Sequence, residues 1–302
     1  MPKTGDYFSR NLSVFTFSPN ESWAILSPFA REIKRKVEAN GVPLNEWNIE
    51  INYGIKTGNN DVFILDNKGK RDEILNNCTT KDERIRTAEI IRPILRGQDI
   101  SKYENKYNDK WIIATFPSRG YCIDDYPALK DYLLSFGIER LEQSGNTHII
   151  NGKEIKSRKK TNNKWFETQD SISYWDNFSR PKIIWGEISD NPKFFLDEIG
   201  IYYCEATTFF MTGEDLWYIL ACINSSIIKQ YFSFLGTTTG EGTVRWKKYK
   251  VLEIPIPPIK DLSLKSRIVS LAKELQSNAN NSKPQENELE KLIRYLYGLE
   301  EG

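Results

Sequence analysis

The sequence has 302 residues, with 42 Lys+Arg against 41 Asp+Glu, a formal net charge of +1. Charged residues make up 27%, apolar residues 39% and aromatics 13%, the composition of a folded globular chain and not of a disordered tail or a fibre. The near-neutral balance argues against coating nucleic acid by bulk attraction, and a longest apolar run of eight residues, Leu216 to Ile223, is too short for a transmembrane helix, which needs about 18.

The opening MPKTGDYFSR has no apolar stretch of the secretory kind. Cys78, Cys122, Cys204 and Cys222 are scattered without a CxxC pair, so neither a disulfide framework nor a zinc site is expected. A cytoplasmic protein without membrane attachment is the expectation.

Taken in chain order, LSVFTF and WAIL within residues 1–26 read as short strands. Pro28 to Asn40 carries Phe29, Ile33 and Val37 at i, i+4 and i+8, which predicts an amphipathic helix ended by Gly41. Ile49, Ile51 and Tyr53 alternate with Glu50 and Asn52, the pattern of a half-buried strand. Thr57 to Asp61 (TGNND) predicts a turn, and Asn48–Lys56 with Asp61–Leu65 a hairpin. A helix is predicted near Lys81–Ile91 and a strand over Trp111–Thr115. Pro127 opens a helix with Leu129, Leu133, Phe136 and Leu141 on one face, followed by an Asn/Lys-rich loop. Lys182–Ile188, Lys193–Asp197, Ile201–Cys204 and Thr207–Met211 read as successive strands.

Gly213 to Leu235 reads as the longest helix, with Leu216, Ile219, Leu220, Ile223, Ile227 and Tyr231 as its apolar face and Thr212 as its cap. Val244–Trp246 and the IPIPP run from Ile254 to Pro258 close the body. Leu264, Ile268, Leu271 and Leu275, then Leu289, Leu292, Ile293 and Leu296, predict two tail helices that fold back as an antiparallel hairpin on the body.

Catalytic signatures are sparse. His148 is the one histidine, in a Gly/Asn loop, and no GxSxG, HExxH, GxxxxGK[ST] or strand-following GxGxxG occurs. Glu154-Ile155-Lys156 forms an ExK triplet of the kind metal-dependent nucleases use, so a nuclease built on Glu154 and Lys156 stands as one alternative. An assembly scaffold acting through the C-terminal hairpin is another. Positive charge is locally concentrated: residues 151–164 hold six Lys/Arg and one Glu, and residues 229–250 hold Lys229, Arg245, Lys247, Lys248 and Lys250 against Glu241.

The motif order then becomes informative. INYGIKTGNNDVFIL (Ile51 to Leu65), IIRPILRGQDISKY (Ile90 to Tyr103), WIIATF (Trp111 to Phe116), YPALKDYL (Tyr126 to Leu133), RPKIIWGEIS (Arg180 to Ser189), LWYILACINSSIIKQYF (Leu216 to Phe232), VLEIPIPPI (Val251 to Ile259) and IRYLYGL (Ile293 to Leu299) follow one another. Over residues 45–300 this series resembles the TaqI-like C-terminal specificity domain. That domain is the target-recognition part of adenine-specific DNA methyltransferases and of type IIG restriction–modification enzymes. Arg92 stands where the family usually has Lys. The NPPY-type motif and Gly-rich cofactor loop of the methyltransferase partner are not present, and residues 1–26 resemble the tail of such a domain.

The resemblance implies an α+β fold: a mixed, largely antiparallel sheet with flanking helices and a C-terminal two-helix hairpin. It implies three parts: a connector over 1–44, a target-recognition domain over 45–259, and a spacer or docking hairpin over 260–302. It implies double-stranded DNA as partner, together with a methyltransferase domain or subunit and, in fused systems, a nuclease. S-adenosylmethionine is implied for that methyltransferase part and no cofactor for this chain, which is not expected to methylate alone. Lys156, Arg158, Lys159, Lys160 and Lys164 are the expected phosphate contacts. Thr238, Arg245, Lys247 and Lys248 form a second candidate loop, in which Arg245 has the fork to pair with guanine. Lys56, Thr57, Asn59 and Asn60 on the predicted turn, and Arg119 beside Gly120, complete the set. Trp175 and Trp185 read as core.

Overall fold

The computed structural model describes residues 27–235, 244–277 and 283–300. The predicted strands within 1–26, and Thr238 with the rest of 236–243, lie outside these residues. Helix α1 (Pro28–Asn40) is capped by Ser27, whose Oγ accepts the Ala30 amide at 3.2 Å, and begins with a proline where no N–H is needed. Ile33 and Val37 are buried as their spacing predicts, whereas Phe29 is exposed in the first turn.

Then follow β1 (Val42–Pro43), β2 (Ile49–Tyr53), α2 (Asn60–Phe63), β3 (Ile64–Leu65), α3 (Lys68–Asn76), α4 (Lys81–Ile90) and β4 (Ile91–Leu95). The middle runs β5 (Ile100–Ser101), β6 (Glu104–Asn105), β7 (Trp111–Ile113), α5 (Pro127–Leu134), α6 (Ile138–Leu141), β8 (Thr147–Ile150) and β9 (Lys153–Lys156). Next come β10 (Lys182–Gly186), β11 (Ile188–Ser189), β12 (Phe194–Asp197), β13 (Tyr203–Cys204) and β14 (Thr208–Gly213). The last stretch is α7 (Leu216–Ile223), α8 (Ser226–Leu235), β15 (Val244–Arg245), α9 (Lys248–Val251), β16 (Pro255–Ile256), α10 (Leu262–Ser277) and α11 (Lys283–Leu296).

The fold is α+β, with two four-stranded sheets where the sequence suggests one. The first has the order β12-β10-β14-β2, antiparallel throughout; the second has the order β13-β4-β7-β3, with β13 and β4 parallel. Alternation sorts the first sheet's side chains. Ile183, Trp185, Phe194, Phe209 and Met211 face a core shared with α1, α7, α8, α10 and α11. Ile184, Phe195 and Phe210 face the second sheet across a middle core with Ile94, Ile112 and Phe178. Beyond that sheet, Ile113 and Leu65 pack on Ile74, Leu129, Leu133 and Leu141 of α3, α5 and α6. The layers therefore run helices, sheet, sheet, helices.

This arrangement corrects the predicted hairpin. Strand β2 pairs with β14 in one sheet and β3 with β7 in the other, so residues 54–63 cross between sheets instead of turning back. The long helix predicted over Gly213–Leu235 is two helices. Asn224 is buried at the break, and its side chain accepts the Phe194 amide at 3.1 Å and donates to the Phe194 carbonyl at 2.9 Å. That bond to β12 stabilises a local stop that an apolar pattern does not reveal. Thr212, the expected cap, belongs to β14. The tail helices do fold back on the body, and Gln276 of α10 bonds both the N–H and the carbonyl of Leu196 on edge strand β12.

Three buried charges, Lys182, Asp197 and Glu83, organise the layers. Lys182 Nζ lies 2.7 Å from Asp197 Oδ2 and donates to the Phe178 carbonyl at 2.7 Å, and Asp197 also accepts the amides of Ile201 and Tyr202. Glu83 of α4 accepts the Ala128 amide at 2.9 Å and the Thr79 amide at 2.8 Å, fastening the start of α5. Burial opposes its charge, but these donors outweigh burial and hold the carboxyl below its ordinary value of 4.5.

Lys182→Ala strands Asp197 in the interior and is expected to lower the unfolding free energy by about 3–5 kcal/mol in urea titrations, with Lys182→Met/Asp197→Leu recovering most of it. A loss no larger than that of an exposed lysine such as Lys70 contradicts this account. Because the Glu83 carboxyl is lowered on folding, its contribution is complete above pH 4.5 and is lost as pH falls through the lower folded value. Glu83→Gln should therefore flatten the acid limb of the stability curve below that pH.

Candidate nucleic-acid interface

The Asn/Lys-rich stretch is not a plain loop. Strands β8 and β9 pair across Asn151-Gly152, whose φ angles of 51° and 75° make the left-handed two-residue turn that tight hairpins favour. The base of this hairpin is closed by Ser157 N–H to the Asn146 carbonyl and Gly145 N–H to the Arg158 carbonyl, both at 2.9 Å.

Arg158 itself is 3% exposed, which overturns its expected role as a phosphate contact. Its guanidinium donates to the carbonyls of Leu141 at 2.8 and 2.6 Å, Thr57 at 2.9 Å, Glu167 at 2.7 Å and Trp165 at 2.5 Å. All five N–H donors of the fork are thereby used. Burial lowers the group to about 10, which leaves it charged at neutral pH. One cation thus ties the end of α6, the crossing loop after β2 and the segment 165–167 together. The signal for this was available in the sequence: Arg158 is the single arginine among the lysines of 153–164, and a point-charge lysine has no such fork.

The crossing loop is shaped by the same contacts. A Cβ on Gly54 would lie 1.9 Å from the Glu205 carbonyl oxygen, so only glycine lets the chain pass. Thr57 is buried; its Oγ1 donates to Asn60 Oδ1 at 2.6 Å and accepts the Asn59 amide at 3.1 Å. Asn60 Nδ2 donates to Glu205 Oε1 at 3.3 Å. Thr57 is therefore corrected from a candidate contact to a group that shapes the loop, whereas Asn60 helps shape it and stays exposed. Lys56 stays exposed, and the Asn59 side chain makes no capping hydrogen bond.

The Lys56 carbonyl accepts the amides of Gln169 and Asp170. Burial raises the Asp170 carboxyl above its usual range, and the positive charges of Lys56 and Lys159 act against that rise. The chain continues to Ser171 and Ile172, whose carbonyls accept the Ser118 amide at 3.2 Å and its hydroxyl at 2.6 Å. Ile172 has a φ of 50°, a left-handed conformation that costs a β-branched residue roughly 1–3 kcal/mol. Segment 169–172 thereby joins the Lys56 loop to Arg119, which lies 3.8 Å over the ring of Trp175 and 5.7 Å from that of Tyr121. Lys164 Nζ reaches the Tyr121 carbonyl at 3.4 Å. Trp185 is buried as expected, but Trp175 is 37% exposed and is corrected from core to surface. Lys156, Lys159, Lys160 and Lys164 are exposed.

The second basic segment splits. Arg245 Nη1 is held by Glu187 Oε1 at 2.9 Å, so part of the fork expected to face guanine is occupied. Lys247 is half-buried at the start of α9. Lys248 Nζ sits 5.7 Å from the ring of Tyr53, an exposed aromatic at the end of β2 that packs on Phe209. Lys248 is thus brought to the mouth of the crossing loop. Tyr53 and Trp175 are exposed aromatics and Tyr121 a half-buried one; alternation assigns Tyr53 to the buried face of its strand and Trp175 reads as core, so their exposure is a tertiary fact.

Among the described residues no group of three or more His, Cys, Asp or Glu is placed to hold a metal ion, and no helix is long and apolar enough to cross a membrane. Glu154 and Lys156 lie exposed on β9.

The model of the TaqI-like C-terminal specificity domain matches residues 92–256. That match takes in more than half of the chain, and the chain belongs to this family. The type II methyltransferase M.XhoI of Xanthomonas vasicola is 24% identical over 247 residues, covering 80% of this chain and 40% of that protein. The structure of the type IIL restriction–modification enzyme MmeI in complex with DNA shares the fold, with a TM-score of 0.55 and 13% identity over 86% of this chain and 34% of that one. The type IIG restriction endonuclease BpuSI aligns with a TM-score of 0.48 and 13% identity, over 90% of this chain and 33% of that one. The chain thus spans between a third and two fifths of the length of these relatives.

Arg158→Lys keeps the charge but abandons several carbonyls. It is expected to destabilise by at least about 2 kcal/mol in urea unfolding, whereas Lys159→Ala and Lys160→Ala stay within about 0.5 kcal/mol of the parent. Equal effects at the three positions would show that Arg158 is no clamp.

Proposed function

We propose that this chain grips and reads duplex DNA as the specificity part of a type II restriction–modification system directed at adenine. Methyl transfer, and cleavage in systems with a nuclease, belong to a partner domain or subunit, and S-adenosylmethionine binds there. The observation that carries this reading is the convergence of Lys56, Lys159, Lys164, Arg119 and Lys248, from four separate stretches of chain, around the crossing loop and segment 164–172. Membership of the specificity family and the likeness to M.XhoI support it.

In this reading the exposed lysines and Arg119 neutralise phosphates and set the register. Asn59, with its amide unengaged by a cap, is placed to read a base edge, adenine being the base that suits an amide. The target adenine leaves the stack and enters the methyltransferase part while this body holds the flanking duplex. Residues 45–259 do the recognising, and the segments 1–44 and 260–302 join that body to its partner.

Fluorescence anisotropy of a labelled mixed-sequence duplex with the full chain should show binding whose log affinity falls linearly with log salt. Lys56→Ala and Lys159→Ala should each reduce the slope by about 1. Absence of duplex binding at low salt would overturn the reading.

A further inference from the structure

The β8–β9 hairpin has a property that neither its fold nor the phosphate grip explains. Its two strands pair only with each other among the described residues, so it stands out as a two-stranded ribbon. Residues paired across a ladder share a face. One face carries His148, Ile150 and Ile155, all half-buried, together with Lys153. The other carries Thr147, Ile149, Glu154 and Lys156, all exposed. Ile149 is 81% exposed, the most exposed of the large apolar side chains described. An isolated hairpin is marginally stable and would ordinarily hide such a side chain or replace it by charge. Here the ribbon is instead rooted on the buried Arg158, beside the Lys56 loop, with its outer face left open.

Glu154 is equally out of place. It is the one acid between Ser144 and Lys164, a stretch with six Lys/Arg, and no ion pair engages it among the described residues. Beside DNA phosphates a carboxylate lowers affinity unless it accepts a hydrogen bond from a base.

Resting on the DNA-binding reading, we propose that the β8–β9 ribbon enters the major groove and that its outer face reads bases. The major groove, about 12 Å wide, admits a two-stranded ribbon. Glu154 accepts from the amino group of cytosine, Lys156 donates to the O6 and N7 of guanine, and Ile149 and Thr147 contact thymine methyl groups. Lys159 and Lys160, just past the root of the ribbon, hold the phosphates that flank the groove. The Glu154-Ile155-Lys156 triplet is then a reading element and not a nuclease site.

The experiment is selection of bound duplexes from a random-sequence pool by the full chain, by Glu154→Gln and Ile149→Ser, and by Lys56→Ala as a comparator. Both ribbon side chains are exposed, so melting temperatures should match the parent. Each ribbon variant should relax the preference at one or two adjacent positions, by roughly 5- to 150-fold, and leave the other positions intact. Lys56→Ala should weaken all sequences alike and leave the preference unchanged. Ribbon variants that keep the parental preference at every position overturn the proposal and leave the DNA-binding function standing. A parent chain that binds no duplex, or enriches no sequence, removes that function and this proposal with it.

Discussion

A single guanidinium decides the geometry of the candidate interface. Arg158 spends its five donors on carbonyls from α6, the crossing loop and segment 165–167, and no other side chain type can bond so many carbonyls at once. Loops of this kind usually lack a core of their own, because backbone polar groups resist burial unless they are bonded. Arg158 supplies those bonds from inside, and Lys156, Lys159, Lys160 and Lys164 are left free to face outward. Gln143 extends the same logic, donating to the Lys164 and Glu167 carbonyls at 3.1 Å and accepting the Thr161 hydroxyl at 2.8 Å. The basic surface is therefore built on a rigid base, which reduces the ordering entropy that binding would otherwise cost.

The same division between buried and exposed cations recurs through the fold. In the RPKIIW motif it is the lysine, Lys182, that is buried against Asp197, so this family-like signature carries a structural charge. In the RGQDI motif, Asp99 accepts from the Arg96 backbone and side chain and closes a tight turn. Motifs that identify the family by sequence are thus largely scaffold, Lys56 apart, whereas the exposed Lys156, Lys159, Lys160 and Lys164 lie between them.

This explains what was legible in the sequence. Helix α1, the tail helices and strands β10, β12 and β14 follow from apolar periodicity and stand where predicted, since burial on one face imposes that periodicity. The partition into two sheets was not legible, because strand pairing between distant segments leaves no local mark: β2 and β3 are neighbours in sequence and belong to different sheets. The break at Asn224 depends on a bond to Phe194, and the exposure of Trp175 on a stack with Arg119, and both are tertiary facts. Of the candidate site, the charged residues were found by composition. Which of them point outward depended on donor number: a lone arginine suited the interior and the lysines suited the surface.

Charge segregation then reconciles a net charge of +1 with a nucleic-acid surface. On α1 and the tail helices cations are matched locally, as in Lys34 with Glu38, Arg35 with Glu32 and Arg267 with Glu288, so these faces present little field. Such exposed pairs add little stability, about 0–1 kcal/mol each, and their chief consequence here is neutrality. Around the crossing loop the half-buried Asp170 is one acid acting on two cations, Lys56 and Lys159. A surface field is set by what stays unpaired within a Debye length, roughly 8 Å at physiological salt, and not by the total over the chain. A balanced protein can in this way hold one face that attracts a polyanion while its remaining surface does not compete for it.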